Sequence, residues 1–148
     1  KRWAEFRIEQ REHKIRELQS ESSHLNRKLN NALLRQTEDL AAAYLRCRGL
    51  ALLHKNYRCR RGEIDLVMLD SSCPEQSLVF VEVRYRKTSA YGAPEETIIK
   101  TKQKRIIAAA THYLAATNAL HHTTRFDVIA VTRPHYLPIV HWIKDAFV

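Results

Sequence analysis

Glycine is scarce in this sequence, with only 3 among 148 residues. A P-loop needs several closely spaced glycines to cradle phosphate groups, so binding of nucleoside triphosphates by such a loop is excluded. No serine or cysteine lies in a recognisable nucleophile elbow, and the histidines do not have the spacing of metal ligands. Any chemistry must therefore come from other residue types.

Cysteine is scarce too, and long hydrophobic runs are absent. Cys47, Cys59 and Cys73 are too scattered for a zinc knuckle, and their odd number does not complete a disulfide framework. No apolar run approaches the roughly 18 residues of a membrane span, and the first residues are charged, unlike a signal peptide. We therefore expect a soluble protein of the reducing cytoplasm that does not enter a membrane.

Positive charge is what the sequence has in excess. It contains 25 lysines and arginines against 16 acids, which gives a net charge of +9 and an isoelectric point of about 9.7. Such a balance favours a polyanionic partner, nucleic acid before a membrane surface. A length of 148 residues predicts one domain with a real core and room for one appended element, and the hydrophobic content of 45% is ordinary for a globular protein.

Residues 1–35 are the candidate for that appended element. The segment is highly charged and has no glycine or proline. Its apolar residues fit the a and d positions of a heptad repeat that Ser22 interrupts, which predicts a long helix or a short coiled-coil seam. These residues are Ile15, Leu18, Leu25, Leu29 and Ala32. The helix would allow a homodimer, whereas a solvated or partly disordered tail is the alternative.

Residues 36–148 alternate between helix and strand patterns. The first helix is predicted from Glu38 to Arg48, with Thr37 as its N-cap and Gly49 as a left-handed C-cap. There follow a strand at 50–57, a basic turn at 56–61, strands at 62–70 and 78–86, a helix from about 98 to 117, and strands at 125–132 and 139–143. This order predicts an α/β fold with a mixed sheet.

Two of these strands carry charged residues inside hydrophobic runs. Alternation places Glu63 and Asp65 on one side of the first strand, and Ile64, Leu66 and Met68 on the other. In the second strand, one side carries Phe80, Glu82, Arg84 and Arg86. Buried carboxylates are unfavourable unless they are paired or bind a metal ion. The two strands therefore predict either a metal site or a cross-strand ion-pair network.

The same strands belong to a set of motifs that resembles the YraN-like family of bacterial proteins. The motifs are residues 62–66, 79–84, Tyr91-Gly92, 102–113, 125–128 and 142–147. That family is similar to the PD-(D/E)XK nuclease superfamily, near the Holliday junction resolvases, and the resemblance covers about residues 36–148. It implies a restriction-endonuclease-like mixed β-sheet flanked by helices, to which the N-terminal helix would be an addition.

The resemblance also implies a metal-dependent endonuclease site for DNA, with Mg²⁺ or Mn²⁺ as the cofactor. Asp65 and Glu82 look like the metal-binding acids, and Glu63 would be a further ligand or a support for them. Glu38 resembles the helix-borne acid of resolvase-like members. Arg84 stands where the superfamily has lysine, and because arginine does not lose its proton it would stabilise charge rather than act as a base.

Basic and aromatic residues near these strands are predicted to bind branched or single-stranded DNA through its phosphates and unpaired bases. They are Arg58, Arg60, Arg61, Arg86, Lys87, Tyr91, Lys100, Lys102, Lys104 and Arg105. The alternative function is a nuclease-like fold that has lost cleavage and binds nucleic acid or another protein.

Overall fold

A computed structural model describes residues 2–72, 74–86, 99–133 and 137–148. Over these ranges the chain forms two helices and five strands. They are α1 (Arg2–Cys47), β1 (Leu50–Cys59), β2 (Gly62–Asp70), β3 (Ser77–Arg86), α2 (Lys100–Ala116), β4 (Thr123–Thr132) and β5 (Ile139–Ile143). The chain divides into two compact units, Lys1–Arg35 and Gln36–Val148. Neither described helix has an apolar stretch sufficient to span a bilayer.

Helix α1 continues through Thr37, so the predicted helix start at Glu38 with Thr37 as N-cap is wrong. No glycine or proline precedes Gly49, and nothing therefore interrupts the backbone hydrogen bonds of the helix at that point. The predicted end is confirmed. Gly49 has a φ of 93° and its N–H donates to the carbonyl of Arg46, as in a left-handed C-cap.

The five strands form one mixed sheet in the order β1-β2-β3-β4-β5. β3 and β4 are parallel, while the other neighbouring pairs are antiparallel. Helix α2 lies in the connection between β3 and β4, because parallel strands need a long crossover. The predicted α/β fold with a mixed sheet is confirmed, and β2 and β5 have the predicted bounds.

Each face of the sheet has its own apolar cluster. The cluster on the α1 face contains Ala41, Leu45, Leu66, Met68, Val79, Val81 and Ile129. The cluster on the α2 face contains Ile64, Val67, Phe80, Ile106, Ala110, Tyr113 and Val128. The predicted alternation of side chains therefore holds for β3 and for β2 from Leu66 onward.

Ile64 departs from that alternation, since the pattern predicted it beside Leu66 but it packs in the α2 cluster. The ladder between β2 and β3 begins at Leu66, and the earlier residues of β2 pair with β1. Two-stranded segments twist more strongly than wide sheets. We attribute the turn of Ile64 toward α2 to this local twist.

Candidate functional site

Asp65 and Glu82 meet where the β2–β3 ladder ends. The ladder sets Leu66 opposite Val81, and continuing this register by one residue would set Asp65 opposite Glu82. Asp65 Oδ2 accepts a hydrogen bond of 2.7 Å from the backbone N–H of Val83. The side chain of Asp65 thus satisfies a backbone amide of β3 beyond the last ladder pair, and this bond fixes the carboxylate beside Glu82.

The surroundings of Asp65 oppose its negative charge. Burial of the carboxyl group, and then the charge of Glu82, raise the pKa of Asp65 to about 7, and Glu38 adds a smaller repulsion. The hydrogen bond from Val83 and the charge of Lys102 act in the opposite direction. A half-buried carboxyl group with such a pKa beside other acids is typical of functional sites, although structural ion-pair networks can produce it as well.

Glu82 is only 5% exposed, and its carboxylate forms an ion pair with Lys102 of α2. Lys102 lies in the first turn of that helix and its side chain is 44% exposed. Lys102 is one of the predicted DNA-binding residues, and the structure also brings it to the acids. Arg84 is half-buried two residues further along β3, in register with Ala130 of β4.

The other two predicted acids lie in different surroundings. Glu38 accepts a hydrogen bond of 2.9 Å from Asn56 Nδ2 of β1, and its charge acts on Asp65. Glu63 is exposed and lies 3.5 Å from Arg58 Nε. The structure therefore brings Glu38 into the electrostatic environment of Asp65 and pairs Glu63 with a cation instead.

Asn56 is a residue that the sequence analysis missed as a partner of the acids. Asparagine is disfavoured inside strands, and Asn56 also has a positive φ of 54°. An asparagine in the middle of a strand pattern was the available signal. The predicted basic turn at residues 56–61 was too long, because β1 continues to Cys59 and the turn consists of Arg60 and Arg61.

A basic cleft of about 590 Å³ lies beside the acids and shares Lys102 with them. It is lined by residues of the β1–β2 turn and of the start of α2. Its cations are Arg58, Arg60, Arg61, Lys102 and Arg105. A Cβ atom on Gly62 would lie 2.6 Å from the carbonyl oxygen of Arg105, so glycine permits this close approach of β2 to α2.

The remaining predicted DNA-binding residues do not line the basic cleft among the described residues. Lys100 and Lys104 are exposed on α2, and Arg86 is half-buried at the end of β3. Lys87 and Tyr91, which are also predicted to bind DNA, lie outside the described residues.

Asp127 is a second buried acid, and its partners give it a structural role. It accepts hydrogen bonds from Arg125, from Trp142 Nε1 at 2.9 Å and from the backbone N–H of Asp145 at 2.9 Å. Arg125 also bonds to Asp70 at the end of β2. This network ties β4 to β2 and to the residues around β5, and it explains why a fully buried carboxylate is tolerated.

The fit of a metal ion depends on Asp65 and Glu82. Within the described ranges, no three His, Cys, Asp or Glu residues are grouped so as to hold one. Mg²⁺ is nevertheless commonly held by one or two carboxylates together with water and substrate phosphates. The neighbouring carboxylates of half-buried Asp65 and buried Glu82 fit that donor set, provided that Glu82 releases Lys102 and binds the metal ion instead.

In a comparison with known proteins, residues 37–131 match the model of the Uncharacterised protein family UPF0102. A UPF0102 protein of Nitrosococcus oceani is 47% identical over 113 residues, covering 76% of this chain and 88% of that relative. A UPF0102 protein of Stutzerimonas stutzeri is 44% identical over 114 residues, covering 76% of this chain and 92% of the relative. The matched range includes the acids and the basic cleft.

Proposed function

The chain belongs to the Uncharacterised protein family UPF0102, and from its acids and basic cleft we propose that it is a metal-dependent phosphodiesterase acting on DNA. The observation that carries the proposal is the pair formed by half-buried Asp65 and buried Glu82, which Lys102 joins to a cleft containing four arginines. A restriction-endonuclease-like sheet and membership of the PD-(D/E)XK superfamily are part of the same proposal.

The basic cleft would bind the phosphodiester backbone. Arg58 comes from the end of β1, Arg60 and Arg61 from the β1–β2 turn, and Arg105 from α2, so the cations line the cleft from a hairpin and a helix. Guanidinium groups bind phosphate oxygens through paired hydrogen bonds, and neutralisation of phosphates releases condensed counterions. The resemblance to junction resolvases favours branched or single-stranded DNA as the substrate.

Asp65 and Glu82 would hold Mg²⁺ or Mn²⁺, which when bound supplies an acidified water molecule and neutralises charge on the phosphate. Lys102 pairs with Glu82, and with substrate bound it would stabilise the negative charge that develops on the phosphate oxygens. Arg84 would hold a neighbouring phosphate, because its guanidinium group keeps its proton. Glu38, held by Asn56, completes the set of acids.

A second candidate function is binding of nucleic acid without cleavage. It is favoured by the ion pair between Lys102 and Glu82, which already neutralises one of the two proposed metal ligands. The described residues also supply no group of three metal ligands.

A cleavage assay separates the two functions. Labelled four-way junction, flap and single-stranded DNA are incubated with Mg²⁺ or Mn²⁺ and with wild type, Asp65→Asn, Glu82→Gln and the exposed matched control Glu75→Gln. We expect products from wild type and Glu75→Gln alone. Equal background in all four proteins, with retained DNA binding, would contradict the phosphodiesterase and support the binding function.

Calorimetric titration with Mg²⁺ tests the metal ligands separately. We expect Asp65→Asn and Glu82→Gln to lose the binding that wild type and Glu75→Gln show. Unchanged affinity in all variants would reject Asp65 and Glu82 as ligands.

A further inference from the structure

The unit formed by residues 1–35 exposes a regular series of large apolar side chains on helix α1. Their exposed fractions range from 52% to 67%, and the residues are Ile8, Ile15, Leu18, Leu25 and Leu29. Single exposed apolar residues are normal on protein surfaces, but a contiguous apolar stripe marks an interaction site. This segment lies outside residues 37–131, which match the family.

The spacing of the stripe indicates its partner. Ile8, Ile15 and Leu29 occupy a positions of a heptad repeat, and Leu18 and Leu25 occupy d positions. Isoleucine at a with leucine at d favours two parallel strands over trimers and tetramers. The seam is weakest at its polar layers, which are Arg11 at d and Ser22 at a.

Charges beside the seam select the parallel direction. In a parallel pair, a g residue faces the e residue of the next heptad in the other helix, which sets Arg7 against Glu12. In an antiparallel pair, g residues face g residues. Four of the five g residues are cations, so the antiparallel pair would repel. These residues are Arg7, Lys14, Glu21, Lys28 and Arg35.

We propose that residues 7–32 form a parallel, two-stranded coiled coil with the same residues of a second copy of this chain. The same helix face supplies both sides of the seam and both members of the attractive Arg7–Glu12 pair, so a second copy satisfies it without another protein. The inference is independent of the proposed reaction, because it uses no residue of the acid site or the cleft.

Sedimentation equilibrium of the full chain tests whether the seam forms. Leu25→Lys places two cations in one d layer, whereas Leu34→Lys changes an apolar residue at an f position that is 48% exposed. We expect wild type and Leu34→Lys to be dimers at micromolar concentration and Leu25→Lys to be a monomer of 17.3 kDa. A wild-type monomer up to 100 µM (roughly a hundred times a micromolar Kd) would overturn the proposal.

Folding of the variants is controlled through the other unit. Leu25 does not contribute to either apolar cluster of the sheet. The unfolding transition of residues 36–148 is therefore expected to be unchanged in Leu25→Lys, so that loss of the dimer reports the seam alone.

The Arg7→Glu variant tests the direction of the helices, because the two directions predict opposite signs. In the parallel pair, Arg7→Glu places a glutamate opposite Glu12 of the other helix, which raises the Kd of the dimer roughly tenfold. Adding Glu12→Arg restores the attraction between the two positions. In the antiparallel pair Arg7 would face cations such as Arg35, so Arg7→Glu would tighten the dimer. Tightening overturns the parallel arrangement.

Discussion

The carboxyl group of Asp65 titrates at about pH 7 in the folded chain but has an ordinary pKa of 3.8 when unfolded. Between these pH values the folded state binds more protons than the unfolded state. The contribution of Asp65 to the free energy of unfolding therefore falls as the pH rises from about 4 to about 7, and it changes little above pH 7. Asp65→Asn keeps an oxygen that accepts from Val83 and removes the charge.

We therefore expect Asp65→Asn to be more stable than wild type at pH 8, by up to about 4 kcal/mol, and equally stable at pH 3. Urea unfolding in EDTA at both pH values measures this difference. A gain that is the same at pH 3 and pH 8 would show that the charge of Asp65 is not its cause.

Lys102 is the counter-ion of the buried carboxylate of Glu82. Among the described contacts, Lys104 on the same helix forms no such ion pair. Lys102→Met leaves Glu82 buried and without this partner. Because Lys102 is itself 44% exposed, we expect a loss of about 1–2 kcal/mol in the free energy of unfolding at pH 8. Lys104→Met is the matched control and should be nearly neutral. Equal effects of the two substitutions on urea unfolding would contradict the role of Lys102.

At the scale of the secondary-structure elements, local patterns predicted most of the fold. Strand patterns predicted the bounds of β2 and β5, and Gly49 predicted the end of α1. The predicted cap at Thr37 failed because a good N-cap residue also fits inside a helix that nothing else interrupts. Ile64 failed because strand twist depends on which neighbouring strands pair, and one strand's sequence does not contain that information.

The candidate site was predicted only in part, for a related reason. Asp65 and Glu82 are recognisable because each is an acid inside a hydrophobic strand. Lys102 is one of several cations at the start of α2, and nothing in their pattern distinguishes the one that reaches Glu82. That contact depends on how α2 lies across the sheet, which is a property of long-range packing.

The contact between the start of β2 and helix α2 allows a test at the scale of elements. Gly62→Ala places a Cβ 2.6 Å from a backbone oxygen, so β2 and α2 must separate. We expect a loss of about 1–3 kcal/mol in thermal or urea unfolding. Gly49→Ala causes no such clash, so we expect it to lower the free energy of unfolding by only about 1 kcal/mol, because alanine is strained at a positive φ. A smaller loss for Gly62→Ala than for Gly49→Ala would contradict the close packing.

At the scale of the whole molecule, a net charge of +9 attracts any polyanion, so affinity alone does not identify the cleft. The salt dependence of binding, measured for variants of individual cations, identifies which cations contact the phosphates. We expect Arg60→Ala and Arg61→Ala each to reduce the slope of log K against log salt by about 0.7 for single-stranded DNA. Arg16→Ala, an exposed arginine of α1, is the control. Equal reductions for all three would mean that binding is diffuse.

The order of the strands has a consequence for the order of folding. β1, β2 and β3 follow one another in the chain and pair as antiparallel neighbours, whereas β4 joins β3 only after the crossover through α2. Contacts between residues close in sequence form faster than distant ones. As the chain folds, Asp65 and Glu82 are therefore expected to come together before Lys102 reaches Glu82. The nascent hairpin then carries an unbalanced pair of negative charges, and the arrival of α2 both neutralises Glu82 and completes the α2 face of the sheet.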